Sequence, residues 1–179
     1  MKNYISMLRG INVSGRKKIR MEELKALYES LSLRDVKTYI QSGNVVFSCP
    51  GSRAGDVRGE IERAIERTFG FQAAVIVRTR EEFERVIRNN PFTKKRKEDI
   101  AKLYVTFLSE IPAALSIEAL ENFRGGPDEF HVAGKEVYVF CSGGYGRTRF
   151  NNTFFEKKLG VAATTRNWKT MNALFALAE

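Results

Sequence analysis

The chain has 179 residues, 43% of them hydrophobic, which indicates a globular fold with a substantial core and excludes extensive disorder. Thirty lysines and arginines against 21 aspartates and glutamates give a formal net charge of +9, which favours anionic partners. Two cysteines and one histidine exclude a disulfide framework and predict no metal site. No segment is apolar for long enough to span a bilayer, so we expect no membrane partner and a cytoplasmic location.

The first half of the chain predicts a βαββαβ order of elements. Short apolar runs indicate strands, and apolar residues recur at helical spacing after residues 21 and 57. Gly43 marks a turn between two strands, and Gly70 ends the second helix because glycine readily adopts the left-handed conformation of a helix C-terminus. The expected elements are strand 4–8, helix 21–31, strand 36–40, strand 45–47, helix 57–69 and strand 73–77.

The second half predicts the same order after a linking segment. Residues 79–100 are expected to hold one helix, which ends before Pro91, and the basic run 94–97, which is typical of a solvated loop. The expected elements are helix 81–88, strand 103–108, helix 112–123, strand 130–132, strand 137–140, helix 154–159, strand 162–165 and helix 168–177.

The repeated order predicts an α+β fold of two tandem ferredoxin-like βαββαβ repeats packed into one compact unit, with a linking helix and a C-terminal helix. The boundaries that we expect are 1–78, 79–100 and 101–179. A glycine turn, an apolar strand and a cysteine recur around Cys49 and Cys141, which supports a duplication.

The expected strand directions decide which loops meet. In each repeat we expect the first and third strands to lie side by side and parallel, so that their C-terminal ends open on the same edge of the sheet. This interpretation brings together loops 9–18 and 48–53 in the first repeat, and loops 109–112 and 141–149 in the second.

The loop at residues 9–18 is the first candidate binding site. Arg9 and Lys17 supply positive charge, Gly10 and Gly15 let the backbone turn closely, and Asn12 lies between them. The loop leads into a helix N-terminus, where unpaired N–H groups favour anions. It lacks the Gly-Lys-Ser/Thr ending of a P-loop, and the alternative is a flexible basic connector.

The glycine-rich loop at residues 141–149 is the second candidate. Its glycines, including Gly146, expose backbone N–H groups, while Arg147 and Arg149 can bind phosphate in a bidentate manner. Tyr145 offers a ring on which a base could stack, and Arg166 could point into a shared cleft. The alternative is a mobile glycine loop.

Residues for ordinary catalysis are not identified by the sequence. His131 lies in an expected hairpin without catalytic spacing, which favours a surface or packed histidine. Cys49 and Cys141 could have lowered pKa values beside arginines, but a buried cysteine more often acts as a small hydrophobic residue. We therefore assign no catalytic residue and no cofactor.

Four motifs resemble a large, mostly bacterial family of unknown function, DUF1697. They are LRGINV at 8–13, TYIQSGNVVF at 38–47, GYGR at 144–147 and TTRNW at 164–168. The resemblance implies two ferredoxin-like repeats and brings no activity, cofactor or catalytic residue. Ser14 stands where the family usually has glycine, and serine is harder to place at a positive φ.

Three functional hypotheses follow from these features. The first is a basic protein that recognises the phosphates of nucleic acid or nucleotides through its Gly/Arg-rich loops. The second is an enzyme or sensor for a small phosphorylated or carboxylated metabolite bound between the repeats. The third is an interaction module that dimerises through an exposed sheet edge.

Overall fold

Eight strands and seven α-helices make up a mixed α+β fold in residues 1–51, 55–95 and 97–179, which are the part of the chain that the computed structural model describes. Residues 52–54, which include part of the predicted loop 48–53, lie outside this part. So does Arg96 of the predicted basic run.

The chain divides into two compact units. Unit 1 comprises Met1–Arg85 together with Ala173–Glu179, and unit 2 comprises Val86–Asn172. Unit 1 contains six complete elements in the predicted order: β1 (Lys2–Leu8), α1 (Met21–Ser30), β2 (Arg34–Tyr39), β3 (Asn44–Cys49), α2 (Val57–Phe69) and β4 (Val75–Thr79).

The helix α3 (Arg80–Arg88) begins in unit 1 and ends in unit 2, and the last helix, α7 (Trp168–Leu177), begins in unit 2 and ends in unit 1. Unit 2 otherwise contains α4 (Phe92–Lys95), β5 (Leu103–Leu108), α5 (Ala114–Ala119), β6 (Glu129–Ala133), β7 (Glu136–Phe140), α6 (Asn152–Leu159) and β8 (Ala163–Asn167). Asn167, at the end of β8, caps the last helix, because its Oδ1 accepts a hydrogen bond from Thr170 N at 2.8 Å.

Two segments differ from the predicted elements. The single helix expected over 112–123 is α5 followed by a 3₁₀ turn, Leu120–Phe123. The basic run is not simply a solvated loop: its first two lysines end α4, which is anchored by buried Phe92 and capped by Asn90 Oδ1, the acceptor for Phe92 N at 2.9 Å. A second 3₁₀ segment, Lys97–Lys102, then leads into β5.

The two sheets have the same topology. Their strand orders are β2-β3-β1-β4 and β6-β7-β5-β8, and every neighbouring pair is antiparallel. The predicted parallel pairing of the first and third strands is therefore wrong. A helix returns β2 in the direction of β1, and the tight turn at Gly43 then reverses β3, so β3 enters between them antiparallel to both.

The antiparallel pairing of β1 with β3 and of β5 with β7 decides which loops are neighbours. The loop after β1 lies beside the β2–β3 turn, where Leu8 N donates to Gly43 O at 2.9 Å, and not beside the loop after β3. In unit 2 the loop after β5 lies beside the β6–β7 turn, where Leu108 N donates to Lys135 O at 2.8 Å. The loop after β7 is at the other end of that sheet, where Cys141 N donates to Lys102 O at 2.9 Å.

One face of each sheet is covered by the unit's own helices. In unit 1, buried Tyr28 of α1 packs edge-on against Phe47, and its hydroxyl is 2.9 Å from Ser6 Oγ of β1. In unit 2 the corresponding face is filled by aromatic rings. The rings that pack together there are those of Phe130, Phe150, Phe154 and Phe155.

The opposite face of each sheet is also buried. Ile5, Met7 and Val46 in unit 1 are at most 4% exposed, and Val105 and Phe107 in unit 2 are fully buried. Strand residues alternate between the two faces, so these side chains lie opposite the helix-covered cores. A nucleic-acid site built on an open sheet face is therefore excluded, and any binding surface has to come from loops and helices. Among the described residues no helix is long and apolar enough to cross a membrane.

Replacing Gly43 by alanine tests the junction between the β2–β3 turn and the loop after β1. Gly43 has φ +72°, and a Cβ would lie 2.7 Å from Ile11 Cδ1 and 2.8 Å from Leu8 Cβ. We expect Gly43→Ala to lower the free energy of unfolding by about 2–4 kcal/mol, from positive φ and overpacking together. Gly10→Ala is the matched control: its φ is +69° but no atom lies within 4 Å, so a loss of only about 1 kcal/mol is expected. Equal losses in urea denaturation would contradict the steric part of this account.

Candidate functional site

The loop after β1 forms a small hairpin. Asn12 N donates to Lys17 O at 3.1 Å, and Arg16 N donates to Val13 O at 2.9 Å. The central residues Ser14 and Gly15 have φ values of 49° and 74°, as a type I′ turn requires. We call residues 12–17 the tip hairpin. Its closed hydrogen bonds favour a defined structure over the flexible connector that the sequence left open.

The side chain of Asn12 holds the tip hairpin in place. Its Nδ2 donates to Ile19 O and to Gln41 O, both at 2.9 Å, and its Oδ1 accepts from Ile19 N at 2.9 Å. One amide thus joins the base of the hairpin to the β2–β3 turn. Because these bonds engage both ends of the amide, Asn12 positions the loop.

Four residues other than glycine have a positive φ at this edge of unit 1. They are Asn12, Ser14, Lys17 and Ile40, with φ between 46° and 54°. Asparagine tolerates this conformation, but it costs other residues on the order of 1–2 kcal/mol each, and a β-branched residue such as Ile40 is a clear outlier. Ser14 does adopt the positive φ that the resemblance pointed to.

The charged groups of the loop are partly engaged by the protein. Lys17 Nζ donates to Gln72 O at 2.7 Å and lies 5.9 Å from the centroid of the Phe71 ring. The backbone N–H of Arg9, which is not its charged group, donates to Ala74 O at 2.8 Å. The first turn of α1 carries Glu22 and Glu23, so the dipole of that helix already faces two carboxylates. Anion binding at the α1 N-terminus is therefore disfavoured.

In unit 2 the glycine-rich loop is tied to the segment before β6. Gly144 N donates to Cys141 O at 3.0 Å, and Asp128 Oδ1 accepts from both Ser142 N and Ser142 Oγ at 2.8 Å. Burial opposes the ionisation of Asp128, but hydrogen bonds from Thr148 and Ser142 outweigh it and lower the pKa of the carboxyl. The ionised Asp128 therefore holds the loop by charge-assisted hydrogen bonds.

Tyr145 is half-buried and packs against Tyr104. Its ring lies 5.0 Å from that of Tyr104, centroid to centroid, and its hydroxyl accepts a hydrogen bond from Asn152 N at 3.2 Å. One face of the ring is thus covered, and the hydroxyl supports the start of α6. Gly146 beside it is exposed.

Arg149 and Lys158 share one aromatic ring. The Arg149 Cζ lies 5.6 Å from the centroid of Phe123 and 5.0 Å from that of Phe150, and a guanidinium nitrogen donates to Phe123 O. Lys158 Nζ lies 4.6 Å from the Phe123 centroid. The faces of an aromatic ring are electron-rich, so Phe123 attracts both cations.

A pocket of about 350 Å³ lies beside these residues. Its walls are Gly126, Pro127, Asp128, Arg147, Arg149 and Phe150. Two arginines face one carboxylate, so the pocket has a net positive charge. We call Phe123, Arg147, Arg149, Phe150 and Lys158 the cation–aromatic cluster.

Only part of this cluster was predicted from the sequence. Arg147 and Arg149 were predicted, whereas Phe123 and Lys158 belong to other elements and carry no motif of their own. A Phe–Arg pair at 123–124, at the end of the expected helix 112–123, looks like ordinary helix-end packing, so no local signal distinguishes it.

Arg166 lies on the other face of the sheet from Tyr145. It pairs with Val105, while Tyr104, against which Tyr145 packs, pairs with Asn167. Because successive strand residues point to opposite faces, Arg166 and Tyr145 are separated by the sheet. Arg166 is 8% exposed and donates to Thr164 Oγ1 at 2.8 Å and to Thr165 O at 2.9 Å.

Neither cysteine has the surroundings of a nucleophile. Both are fully buried free thiols, and burial raises the pKa of Cys141 to about 11, with a hydrogen bond from Thr148 only partly opposing it. His131 is exposed, 6.4 Å from the Tyr138 ring. Within the described ranges, no group of three or more acidic, histidine or cysteine side chains could hold a metal ion.

Comparison with known proteins places the chain in a family. Residues 1–138 match the model of a family described as "Protein of unknown function (DUF1697)". The chain belongs to this family. A solved structure, that of a conserved bacterial protein, SP0830 from Streptococcus pneumoniae, is similar to this DUF1697 member with a TM-score of 0.79 at 24% identity over 99% of each chain. That likeness shows the fold alone. No curated protein matches the sequence.

Removal of the Asn12 side chain is expected to release the tip hairpin. Asn12→Ala deletes three hydrogen bonds and places alanine at φ 54°, so we expect the free energy of unfolding to fall by about 2–3 kcal/mol. Limited trypsin digestion followed by mass spectrometry should then detect cleavage at Arg16, Lys17 or Lys18 that the wild-type protein resists. A wild-type loop cut as fast as the variant would show that the hairpin is not rigid.

The raised pKa of Cys141 predicts a slow thiol reaction. At a pH near 8.5, where an ordinary cysteine is half ionised, the folded Cys141 should remain protonated, because its pKa is about 11. Iodoacetamide should therefore label Cys141 only after denaturant is added, and Cys141→Ala serves to assign the signal. Rapid labelling in the native protein would contradict the burial of this thiol.

Proposed function

We propose that this protein binds nucleic acid and that the cation–aromatic cluster of unit 2 contacts its phosphates. The observation that carries the proposal is the pair of cations, Arg149 and Lys158, held over the single ring of Phe123. Both side chains are exposed, so a ligand can reach them. A phosphate group can accept charge-assisted hydrogen bonds from either cation.

The cluster supports phosphate recognition by its geometry. The guanidinium of Arg149 is held by two rings and a backbone carbonyl, so little side-chain freedom is left to lose on binding. Arginine matches phosphate through paired N–H groups, and lysine adds a point charge. Arg147 extends the positive surface along the pocket wall.

A polymer of phosphates suits the molecule better than one phosphate. The formal net charge of +9 attracts a polyanion beyond the cluster itself. The pocket of about 350 Å³ is also large enough for the phosphorylated end of a small ligand, and a mononucleotide is therefore the comparison ligand in the test below.

We also infer that each unit is a ferredoxin-like repeat and that the two arose by duplication. The matching strand orders support this inference. The cysteines support it as well: Cys49 ends β3 and Cys141 directly follows β7, and each of these strands pairs with the first strand of its unit. Arg78 and Arg166 are buried at matching positions opposite Ile5 and Val105. Two buried free thiols support a cytoplasmic location.

Exchange of one lysine on α6 tests the proposed function. Lys157 and Lys158 are adjacent and both exposed, but only Lys158 is placed over Phe123. Titration of a fluorescently labelled single-stranded oligonucleotide should show that Lys158→Ala weakens binding by about two- to fivefold at low salt. The slope of log affinity against log salt should fall by about 0.7, the value for one lost phosphate contact on a single strand.

The matched variant Lys157→Ala removes the same charge from the same helix. It should leave affinity and salt slope close to the wild-type values. Equal losses in the two variants would reduce the interaction to general charge attraction and refute the cluster as a site. If a mononucleotide binds tightly and the oligonucleotide binds no more tightly, the ligand is a small phosphorylated molecule and not a nucleic acid.

A further inference from the structure

Two aliphatic side chains are exposed on neighbouring turns of unit 1. Val13 in the tip hairpin is 57% exposed, and Ile40 in the β2–β3 turn is 52% exposed. The turns are joined, because Asn12 Nδ2 donates to Gln41 O at 2.9 Å, and these two residues are the direct neighbours of Val13 and Ile40. The two aliphatic groups therefore belong to one edge of the unit.

Ile40 serves neither the core nor the turn. An exposed isoleucine adds no core packing, and its φ of 49° is a conformation that β-branched residues avoid. Glycine or asparagine would occupy such a position at lower cost. A residue that is unfavourable for folding at an exposed place points to a role in binding.

The surroundings of these side chains are cationic. The tip hairpin presents exposed Arg16 and Lys17, and Lys18 follows directly. The first 21 residues contain no aspartate or glutamate. A partner that fits this edge therefore needs apolar surface and negative charge close together, and a nucleic acid has both in its bases and phosphates.

We propose that the tip hairpin and the β2–β3 turn form a second nucleic-acid contact, in which Ile40 and Val13 pack against bases and Arg16 and Lys18 pair with phosphates. Aliphatic side chains placed between base steps partly unstack them. The defined geometry of the hairpin, held by Asn12, suits such an insertion. This inference rests on the proposed function for the class of ligand but involves residues of the other unit.

The variant Ile40→Asn separates binding from folding. Asparagine tolerates the left-handed conformation, so the thermal midpoint should stay at the wild-type value or rise. Affinity for the labelled oligonucleotide should fall about five- to tenfold, the scale of one lost aliphatic contact. The salt slope should not change, because no charge is removed. Inorganic polyphosphate, which has no bases, should bind the variant and the wild-type protein equally.

Ile111→Asn is the matched control, since Ile111 is an isoleucine of unit 2 that is 68% exposed. A 2-aminopurine base in the oligonucleotide should brighten on binding to wild type and to Ile111→Asn, and brighten less with Ile40→Asn.

Wild-type affinity and brightening in Ile40→Asn, while Lys158→Ala is impaired, would overturn this inference and leave the proposed function standing. If Ile40→Asn weakens oligonucleotide binding while Lys158→Ala and Lys157→Ala bind with equal affinity, the tip contact is supported and the cluster is refuted as a site. Equal losses in both isoleucine variants, or no oligonucleotide binding at all, would overturn it.

Discussion

The antiparallel entry of β3 between β1 and β2 is the constraint on which the rest of unit 1 depends. It places the β2–β3 turn against the loop after β1, where Leu8 N meets Gly43 O and no room remains for a side chain at Gly43. The same turn accepts one of the three hydrogen bonds by which the Asn12 amide holds the tip hairpin. Unit 2 has the same strand order and the same hydrogen bond between the end of its first strand and its hairpin turn.

Burial of both sheet faces leaves binding to the edges of the units. A four-stranded sheet that is covered on one side only could offer a platform for bases, but Ile5 and Phe107 are fully buried on the sides that would have to be open. What remains exposed are turns, loop arginines and helix ends. The cation–aromatic cluster is of this kind: Phe123 ends a 3₁₀ turn, Arg149 ends the glycine-rich loop, and Lys158 lies in the last turn of α6.

Several candidate binding residues make contacts within the protein that the sequence does not show. Asn12 holds a loop, Tyr145 supports a helix, and Arg166 is buried among strand residues. A sequence shows which groups can donate a hydrogen bond but not what accepts it. For that reason the contacts of individual side chains within the glycine- and arginine-containing loops followed only from the tertiary structure.

The sequence by itself determined most of the elements and their order, because hydrophobic periodicity and glycine punctuation act over a few residues. It also determined the positive charge and the positions of the two basic loops. The tertiary structure alone decided the antiparallel direction of β3 against β1, which depends on pairing between residues more than thirty positions apart, such as Ser6 and Val45. It likewise decided that Arg149 and Lys158 both pack against Phe123, because three separate elements have to fold onto one core before that ring lies within reach of both cations.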